Sequence, residues 1–524
     1  MATARLAELL GGLSLFADLA DGFPPEKVLR STLLAVEIAR REGLGAAEVR
    51  DVYYVTLLRY AGCVGFSHEE AHVYGAGNDI ATRSVMAMAD PTEPLGTLLA
   101  IARGVGKGAA LPSRARAVAA LLSDRHAIEK HARTQCETAL WAARAVSMSD
   151  GVVAALGAIC ERWDGLGAPG RLAGEALALP MRVHQVGDVA DIALGRLGVG
   201  GARELVARRA GKQLDPRFAG RFVADADELA ALVSGSDVWE RYLAAEPEPF
   251  VLADASAVAR AFANLADLKS VFTAGHSPGV AARARLAARE LGLGGDVTVE
   301  LERAGWLHDL GRAAIANAVW DKPGPLGAAE REQVRMHAYY TDRILGRAPT
   351  FAAAARIAAA THERCDGGGY YRGLPGATLE PAARLLAAAD AFAAMQELRP
   401  HRPAMSAGEA ADALAREARD GRLCPRSVDA VIASAGVGSR PTTTPGAGRG
   451  LSDREIEVLV LLARGKSNRE IGALLDISPR TVQNHVAHVY DKIGVYSRAG
   501  ATLFAVEAGL VGAGARDEHR DPSR

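Results

Sequence analysis

One stretch of this chain occurs twice, and the repetition limits how the chain can fold. Residues 160–191 align without a gap with residues 362–393, and both copies share Glu, Asp and Gly residues at the same spacing. Asp188 of the first copy falls on Asp390 of the second. Self-similarity of this kind predicts that one supersecondary unit is used twice. We therefore expect two tandem, related lobes, residues 1–235 and residues 236–436.

The sequence around both copies is typical of α-helices. Apolar residues recur at helical spacing in segments such as Arg30–Leu44, Glu48–Gly62 and Gly151–Trp163. Segments rich in Gly and Pro, such as Cys365–Pro381, separate the helices as loops. Aromatic residues make up 5% of the chain, and its abundant alanine favours helix. We predict an all-α fold with two tandem helical lobes.

The second lobe contains a set of histidine and aspartate residues in apolar surroundings. The segment Ala304–Arg312 puts His308 beside Asp309 in an apolar stretch, where an unpaired imidazole or carboxylate would be costly to bury. Mixed imidazole and carboxylate ligands suit iron, manganese, zinc or nickel rather than calcium. We predict a divalent-metal site with these ligands: His276, His308, Asp309, His337, His362 and Asp390. Three other interpretations stay open: a buried His308–Asp309 hydrogen bond, a helix-capping His276 and a surface His337.

The first lobe lacks most of these ligands. Cys160 stands where the second copy has His362. We expect Gly62 and Cys63 at the positions of His308 and Asp309. We expect Arg30 at the position of His276, and His131 near that of His337. Without most of the ligands, this lobe is expected to bind no metal and to serve a structural, dimerising or ligand-sensing role.

The C-terminal part of the chain has a different character. Residues 437–450 are rich in Gly, Pro, Thr and Ser, which is typical of a flexible linker. Residues 451–512 contain clear helix-start signals: Ser452 and Ser467 are each followed three residues later by Glu, as in a capping box. Ser478 precedes a proline that suits the first helical position. We predict a four-helix unit, followed by a polar tail at residues 513–524.

The second lobe resembles a known family. The set His276, His308-Asp309 and Asp390 is similar to the HD phosphohydrolase superfamily, and HERCDGGGYYRGLPG resembles the signature of its HD-GYP branch. That branch is all-helical, binds two or three metal ions, commonly iron or manganese, and hydrolyses cyclic dinucleotides. The resemblance implies that Asp309 bridges two metals, that Asp390 closes the other side and that His337 and His362 hold the second metal.

The same resemblance identifies Asp309 and Arg312 as catalytic residues. Arg312 stands where the family usually has lysine, so a positive charge is kept there for a substrate phosphate. Three residues depart from the family pattern: Thr361 replaces the first histidine of the signature, Tyr371 replaces its proline, and Phe272 replaces a glutamate of members with three metals. We therefore expect at most two metal ions.

Residues Leu451–Arg498 resemble the LuxR-type helix-turn-helix domain over almost their whole length. The segment from Pro479 to Ile493 would be the recognition helix, which enters the major groove of double-stranded DNA. Gln483 and Asn484 are expected to contact base edges, since amides pair well with adenine. The remaining predicted DNA-facing residues, mostly for phosphate contacts, are Lys466, Arg469, Arg480, Thr481, His488 and Lys492.

The last helix of this unit resembles the dimerisation helix of LuxR-type domains, which implies a homodimer on a two-half-site operator. The net charge of the whole chain is only −1, so DNA contact has to come from a local surface. A small helical adaptor for another protein is the alternative interpretation of this unit.

Composition restricts the cellular setting. The five cysteines are scattered without a CxxC pair, which is typical of reduced thiols in a cytoplasmic protein. The N-terminal segment has no basic region, and acidic residues interrupt its apolar stretch, so we expect no signal peptide. No long uncharged apolar run occurs, so we expect no membrane span.

These observations predict a DNA-binding transcription regulator whose HD-GYP-like domain binds divalent metal and senses or hydrolyses a phosphorylated signal, which could be a cyclic dinucleotide. Two alternatives stay open. The HD region could be an inert sensor or dimerisation region of a DNA-binding regulator. The chain could also be a phosphohydrolase that its DNA-binding module only localises.

Overall fold

Helices form almost all the regular structure, which confirms the predicted all-α fold. The computed structural model describes residues 4–73, 77–90, 92–106, 111–123, 126–168, 170, 172–436 and 450–512. The predicted polar tail and all of the predicted linker except Gly450 lie outside these described residues. None of the described helices is both long enough and apolar enough to cross a membrane.

The described residues group into two compact units. Unit 1 contains residues up to Ala261 with Ala313–Ala318 and Ile344–Thr350, and unit 2 contains Phe262–Arg312, Val319–Arg343 and residues from Phe351 onward. The lobe boundary at residues 235 and 236 remains a prediction from the sequence repeat.

The first part of the chain has twelve helices among its described residues. A short antiparallel pair joins strands β1 (Ala4–Arg5) and β2 (Val251–Leu252). The helices are α1 (Leu6–Ala20), α2 (Lys27–Arg41), α3 (Ala46–Leu58), α4 (Asp79–Met86), α5 (Pro94–Gly104), α6 (Leu111–Ser123), α7 (Ala127–Ala145), α8 (Asp150–Leu156), α9 (Leu179–Arg209), α10 (Pro216–Ala224), α11 (Ala226–Leu232) and α12 (Val238–Ala245).

The middle of the chain carries the predicted metal ligands. Its helices are α13 (Ser256–Asp267), α14 (His276–Glu290), α15 (Gly295–Leu307), α16 (Asn317–Trp320), α17 (Ala328–Leu345), α18 (Ala352–Ala358), α19 (Pro381–Gln396), α20 (Ala407–Arg419) and α21 (Pro425–Gly436). Short 3-10 segments connect them at Leu310–Ala314, Pro349–Phe351 and Gly376–Thr378.

The C-terminal unit has the four predicted helices: α22 (Asp453–Ala463), α23 (Asn468–Leu475), α24 (Pro479–Ile493) and α25 (Arg498–Glu507). Its predicted start signals are confirmed, because Ser452 and Ser467 each form a capping box with the Glu three residues later. The Ser478 side chain accepts a hydrogen bond from the backbone N–H of Thr481. One apolar cluster, built around Leu459, Ile471 and Val489, holds the four helices together.

The two copies of the repeat have the same local backbone. Helices α2 and α14 both start after a residue in the left-handed conformation, Glu26 (φ 70°) in one copy and Gly275 (φ 75°) in the other. In each copy an aspartate ten residues upstream accepts a backbone N–H from the second helical residue: Asp18 accepts from Val28, and Asp267 accepts from Ser277. Lys27 is therefore the counterpart of His276.

This register corrects the sequence-based alignment of the first lobe, which put Arg30, Gly62, Cys63 and His131 at ligand positions. Helices α3 and α15 have equal length, so the residues directly after them correspond, and Arg59 and Tyr60 match His308 and Asp309. A Cβ atom added to Gly62 would lie 2.3 Å from the carbonyl oxygen of Gln135. A Cβ atom added to Gly311 would lie 2.0 Å from the carbonyl oxygen of His337. Gln135 is therefore the counterpart of His337. The alignment was wrong because the first lobe has no metal ligands to fix its register.

Candidate metal centre and DNA-binding module

Three of the predicted ligands converge on one point. The ligand atoms of His276, His308 and Asp390 lie within 4.8 Å of one another. Asp390 Oδ1 is 3.2 Å from His276 Nε2 and 3.6 Å from His308 Nε2. His276 begins helix α14, His308 directly follows α15, and Asp390 lies within α19. Three separate helices therefore position this first ligand group, as the sequence predicted.

The other three predicted ligands form a second group. The ligand atoms of Asp309, His337 and His362 also lie within 4.8 Å of one another. His337 on α17 and His362 after α18 face each other with their Nε2 atoms 2.7 Å apart. Asp309 Oδ1 is 3.4 Å from His337 Nε2 and 3.8 Å from His362 Nε2.

Asp309 lies between the two groups. Its Oδ1 faces the second group, and its Oδ2 lies 3.5 Å from His276 Nε2 and 3.4 Å from His308 Nε2 in the first group. Asp390 also faces both groups, since its Oδ2 is 3.6 Å from His362 Nδ1. This arrangement can hold two divalent ions that share the Asp309 carboxylate.

Hydrogen bonds at the second ring nitrogen fix the orientation of three imidazoles. His308 Nδ1 donates to the Gly305 carbonyl oxygen at 2.8 Å, and His337 Nδ1 bonds the Val334 carbonyl oxygen. His276 Nδ1 lies 3.0 Å from Glu397 Oε1. In each case Nε2 points toward the centre, which is the arrangement usual in metal-binding histidines.

The centre has buried polar atoms that fit a metal. His276 Nε2, His308 Nε2 and both oxygens of Asp309 are buried and have no hydrogen-bond partner among the described residues. Leaving such atoms unsatisfied costs free energy, so they indicate a missing partner. Nitrogen and oxygen donors of this kind suit iron, manganese, zinc or nickel. The residues present therefore fit a divalent-metal site.

Mutual attraction among these groups shifts their pKa values. Burial disfavours the charged form of His308, but Asp309 and Asp390 outweigh it and raise the pKa of His308 to about 9. Burial opposes ionisation of Asp309, yet Arg312 and His308 hold its pKa well below the usual value. The carboxylates are thus anionic and can serve as ligands.

Arg312 lies at the edge of the centre. Its Nε is 2.7 Å from Asp309 Oδ2, an ion-pair distance without a hydrogen-bond alignment. Its guanidinium lies 4.7 Å from the centre of the Trp320 ring, and the Trp320 side chain donates to the Arg312 carbonyl oxygen. The cation predicted to meet a phosphate is therefore beside the metal ligands and supported by an aromatic ring.

The residues that depart from the family signature contribute no further ligand atom. The Thr361 hydroxyl donates to the Ala358 carbonyl oxygen at 2.9 Å, so it is directed to its own backbone. Tyr371 donates its hydroxyl to Asp342. Tyr370 stacks on the His362 ring with ring centres 5.1 Å apart. Sequence reasoning missed the contacts of Tyr370 and Trp320, because both residues are separated in sequence from the groups they contact.

The matching positions of the first lobe carry side-chain cations instead. Lys27 is 1% exposed, forms an ion pair with Asp188 and lies 3.9 Å from the centre of the Tyr60 ring. Tyr60 donates its hydroxyl to Asp188 at 2.8 Å. The Arg59 guanidinium also lies over the Tyr60 ring, 4.2 Å from the ring centre. Lysine and arginine are not metal ligands, so Lys27 and Arg59 give no ligand atoms, and the absence of metal from this lobe stays a prediction.

The recognition helix α24 has the two predicted faces. Val482, Val489 and Ile493 are buried in the apolar cluster, and Val486 packs against it. The predicted base-contacting residues Gln483 and Asn484 are exposed. Among the other predicted DNA-facing residues, Arg469, Arg480, His488 and Lys492 are exposed, and Lys466 and Thr481 are half-buried.

Some of these side chains have partners within the protein. Lys492 donates to Glu455 at 2.6 Å, and Lys466 lies 3.6 Å from Glu470. Arg480 donates to the Gln483 side chain at 3.3 Å. The Lys492 ammonium would have to leave Glu455, or be shared with it, to contact a phosphate.

Comparison with known families identifies both regions. Residues 260–426 match the family described as HD domain, and residues 449–505 match the family described as bacterial regulatory proteins, luxR family. A 3'3'-cGAMP-specific phosphodiesterase 3 of Vibrio cholerae is 30% identical over 411 residues, which cover 77% of this chain and 89% of the relative. The 3'3'-cGAMP-specific phosphodiesterase 1 of the same organism is 34% identical over 179 residues, which cover 33% of this chain and 41% of the relative.

A solved structure is also similar to this chain. The crystal structure of a cyclic GMP-AMP-specific phosphodiesterase of V. cholerae (V-cGAP3) matches with a TM-score of 0.58 and 26% identity, covering 83% of this chain and 99% of that chain. The chain belongs to the HD-domain phosphodiesterase family and carries a luxR-type DNA-binding domain at its C-terminus. The resemblance found in the sequence is thereby confirmed, and the protein is a DNA-binding regulator with an HD-type domain of the metal-dependent class.

Proposed function

We propose that the HD domain is a binuclear metal-dependent phosphodiesterase that hydrolyses a 3',3'-cyclic dinucleotide, and that its state controls DNA binding by the C-terminal domain. The observation that carries this proposal is the pair of three-ligand groups joined by the two oxygens of Asp309. Relatives named for 3'3'-cGAMP hydrolysis support the substrate class.

His276, His308 and Asp390 would hold one ion, His337 and His362 the other, and Asp309 would bridge them. Iron or manganese is the proposed metal, in at most two ions. Two ions supply Lewis acidity at the phosphoryl oxygens and a water of lowered pKa. Hydrolysis adds water across one P–O bond of the ring, which leaves a phosphomonoester and a free hydroxyl on a linear dinucleotide.

Arg312 is the proposed phosphate-binding cation. It is paired with Asp309 Oδ2, the oxygen that also faces His276 and His308. A metal ion at Oδ2 would neutralise this carboxylate and free the guanidinium for a substrate oxygen. Arginine suits this task because its planar donors match phosphate geometry. Trp320 limits its movement from the other side.

The C-terminal domain would bind an operator as a homodimer in the cytoplasm. Gln483 and Asn484 would contact base edges. The residues along the DNA backbone and groove would be Lys466, Arg469, Arg480, Thr481, His488 and Lys492. Helix α25 would pair the two protomers. Ala501 faces the domain core and Leu503 points to the other side of the helix, yet both are buried in this structure. Pairing through α25 therefore requires a rearrangement that uncovers it.

One loop connects the metal centre to the DNA-binding domain. Residues 268–275 join α13 to α14, so the loop ends directly at His276. Ala274 packs against the apolar cluster of the helix-turn-helix. A Cβ on Gly465 would lie 2.6 Å from Val271 Cγ2, and one on Gly275 would lie 2.8 Å from Gly512 Cα. These close contacts support transmission of changes at His276 to the DNA-binding domain.

The first experiment measures metal content and hydrolysis of 3'3'-cGAMP and cyclic di-GMP by anaerobically purified full-length protein. We expect bound iron or manganese and hydrolysis in the wild type, loss of both in Asp309→Ala, and loss of hydrolysis with reduced metal content in His362→Ala. Cys160→Ala, at the position of His362 in the first lobe, is the matched control and should change neither. Wild-type protein that takes up no metal would refute the proposal.

A second candidate is a metal-bound sensor without turnover. Thr361, which gives the centre no ligand atom, is the observation that favours it. Metal binding with no hydrolysis of either dinucleotide would support this alternative against the enzyme.

The coupling is tested separately, with a DNA duplex selected in vitro on the full chain. We expect the Kd for this duplex to differ between metal-free and metal-loaded wild type. Ala274→Glu, which breaks the loop contact, should remove the difference, and Ala411→Glu on α20 should keep it. Equal dependence on metal in both variants would exclude this loop as the connection.

A further inference from the structure

Glu397 lies behind the metal ligand His276. Its Oε1 is 3.0 Å from His276 Nδ1, the ring nitrogen that faces away from the centre. The His276 side chain is fully buried and that of Glu397 is 16% exposed. Glu397 therefore contacts the ligand on its outer side. It was not among the residues predicted from the sequence.

A second residue fixes the Glu397 carboxylate in place. Arg399 Nη2 donates to Glu397 Oε2 at 2.6 Å. The backbones of Arg399 and Arg402 exchange two hydrogen bonds, of 3.1 and 3.2 Å, which makes a tight turn. The Arg402 guanidinium donates to the Met395 carbonyl oxygen at the end of α19. The turn is thus attached to the helix that carries Asp390.

Helix α19 and its C-terminal turn contact both sides of one imidazole. Asp390 Oδ1 lies 3.2 Å from His276 Nε2, and Glu397 Oε1 lies 3.0 Å from its Nδ1. Seven residues separate the two acids, close to two turns of helix. The ring is therefore held between two carboxylates from the same element, and only Asp390 is directed into the metal centre.

We infer that Glu397 is a positioning residue that accepts the Nδ1 proton of His276, so that Nε2 keeps its lone pair for the metal. A carboxylate in this role sets the tautomer, fixes the ring plane and increases the basicity of the ligand nitrogen. Arg399 supports it by holding the second oxygen. This inference rests on the proposed function, because it requires a metal at the first ligand group.

The three imidazoles with a bonded Nδ1 differ in the partner they use. Those of His308 and His337 bond backbone carbonyl oxygens, which carry no net charge. His276 has a carboxylate, so among these three ligands its basicity responds most to a side-chain substitution. The effect of Glu397 on metal affinity should therefore act through the first ligand group.

The first lobe provides an internal comparison. Its counterpart of His276 is Lys27, and its counterpart of Glu397, seven residues after Asp188, is Gly195. The lobe that lacks the imidazole also lacks the carboxylate behind it. Helix α9 continues through Gly195, so the first lobe also lacks the turn that carries Glu397 after α19.

The test compares Glu397→Gln, Glu397→Ala and Arg399→Ala with wild-type full-length protein. Metal affinity is measured by competition with a chelator, and the ligand field by the visible spectrum of the Co²⁺-loaded protein. We expect metal affinity to fall about 10- to 100-fold in Glu397→Ala, with smaller losses in Glu397→Gln and Arg399→Ala. The Co²⁺ spectrum should shift in the Glu397 variants, and circular dichroism should show that the metal-free proteins are folded.

Glu417→Gln is the matched control, because Glu417 is an acid of the same lobe that pairs with Arg422 at 2.7 Å instead of with a ligand. It should keep wild-type affinity and spectrum. Wild-type affinity and spectrum in both Glu397→Gln and Arg399→Ala would overturn the inference. Each variant gives this answer alone if the other fails to fold. Absence of metal from the wild type would instead refute the proposed function.

Discussion

Replacing Lys27 by methionine tests how the first lobe is stabilised without a metal. The Lys27 ammonium is 1% exposed and pairs with Asp188, whose side chain is 14% exposed. Burial raises the pKa of Asp188, but interactions with Lys27, His184 and Arg59 together outweigh it and bring that pKa to about 2, from an ordinary value of 3.8. A shift of this size corresponds to about 2 kcal/mol of stability at neutral pH. Because this pKa is lowered by folding, the stability is present above pH 3.8 and is lost as the pH falls toward 2.

Removing one partner of a buried ion pair costs more than the pair itself contributes, about 3–5 kcal/mol, because the other charge stays buried. Tyr60 and Arg59 still contact this site, so we expect the lower end, about 3 kcal/mol. The assay is denaturant unfolding of the full chain, followed by circular dichroism at neutral pH. Lys27→Met should be destabilised, and Lys27→Met with Asp188→Asn should recover most of the loss. Metal content should equal that of the wild type.

Two results would contradict this reasoning. A loss below about 1 kcal/mol in Lys27→Met would mean that the ion pair is not the buried, coupled pair that the geometry describes. A double variant whose loss of stability equals the sum of the two single losses would mean that the two side chains do not depend on each other.

Four further predictions concern the other lobe and the DNA-binding domain. Gln483→Ala and Asn484→Ala should each weaken binding to the selected duplex by about 1–3 kcal/mol and leave non-specific DNA binding unchanged, measured by anisotropy. Arg469→Ala should weaken binding to every DNA sequence. It should also reduce by about 1 the slope of log binding constant against log salt concentration. Glu455→Gln should remove the loss of helix-turn-helix stability that acid causes below pH 4.5, because Lys492 lowers the pKa of Glu455 to about 2. Gly311→Ala should abolish metal uptake, because its Cβ would lie 2.0 Å from the His337 carbonyl oxygen.

The sequence pointed to the six predicted ligands of the second lobe, which the structure brings together in two groups, because their residue types are rare in apolar segments. His308-Asp309 within an apolar stretch and Asp390 within an alanine run each required a partner. The capping boxes of the C-terminal domain were equally predictable, since Ser452 and Glu455 interact over three residues and need no tertiary information.

Other features depend on the three-dimensional fold. Glu397 contacts His276 across 121 residues of sequence, and nothing near Glu397 indicates that contact. The register of the first lobe was also beyond the sequence, because Lys27, Arg59 and Tyr60 share no chemistry with the residues they replace. Only the left-handed residue before α2 and the close approach at Gly62 fixed the alignment.

The two lobes solve the same electrostatic problem in different ways. Both place a carboxylate at one position, Asp188 and Asp390, inside a cluster that excludes water. In the second lobe the groups around Asp390 are imidazoles and another carboxylate. Bound cations would therefore balance the negative charge of the two carboxylates. In the first lobe Lys27 provides the cation as a side chain, within reach of Asp188 and the Tyr60 ring. We therefore expect the stability of the first lobe not to depend on metal supply, while that of the second should increase with it. A chain built this way can keep one lobe folded while the other responds to metal and ligand.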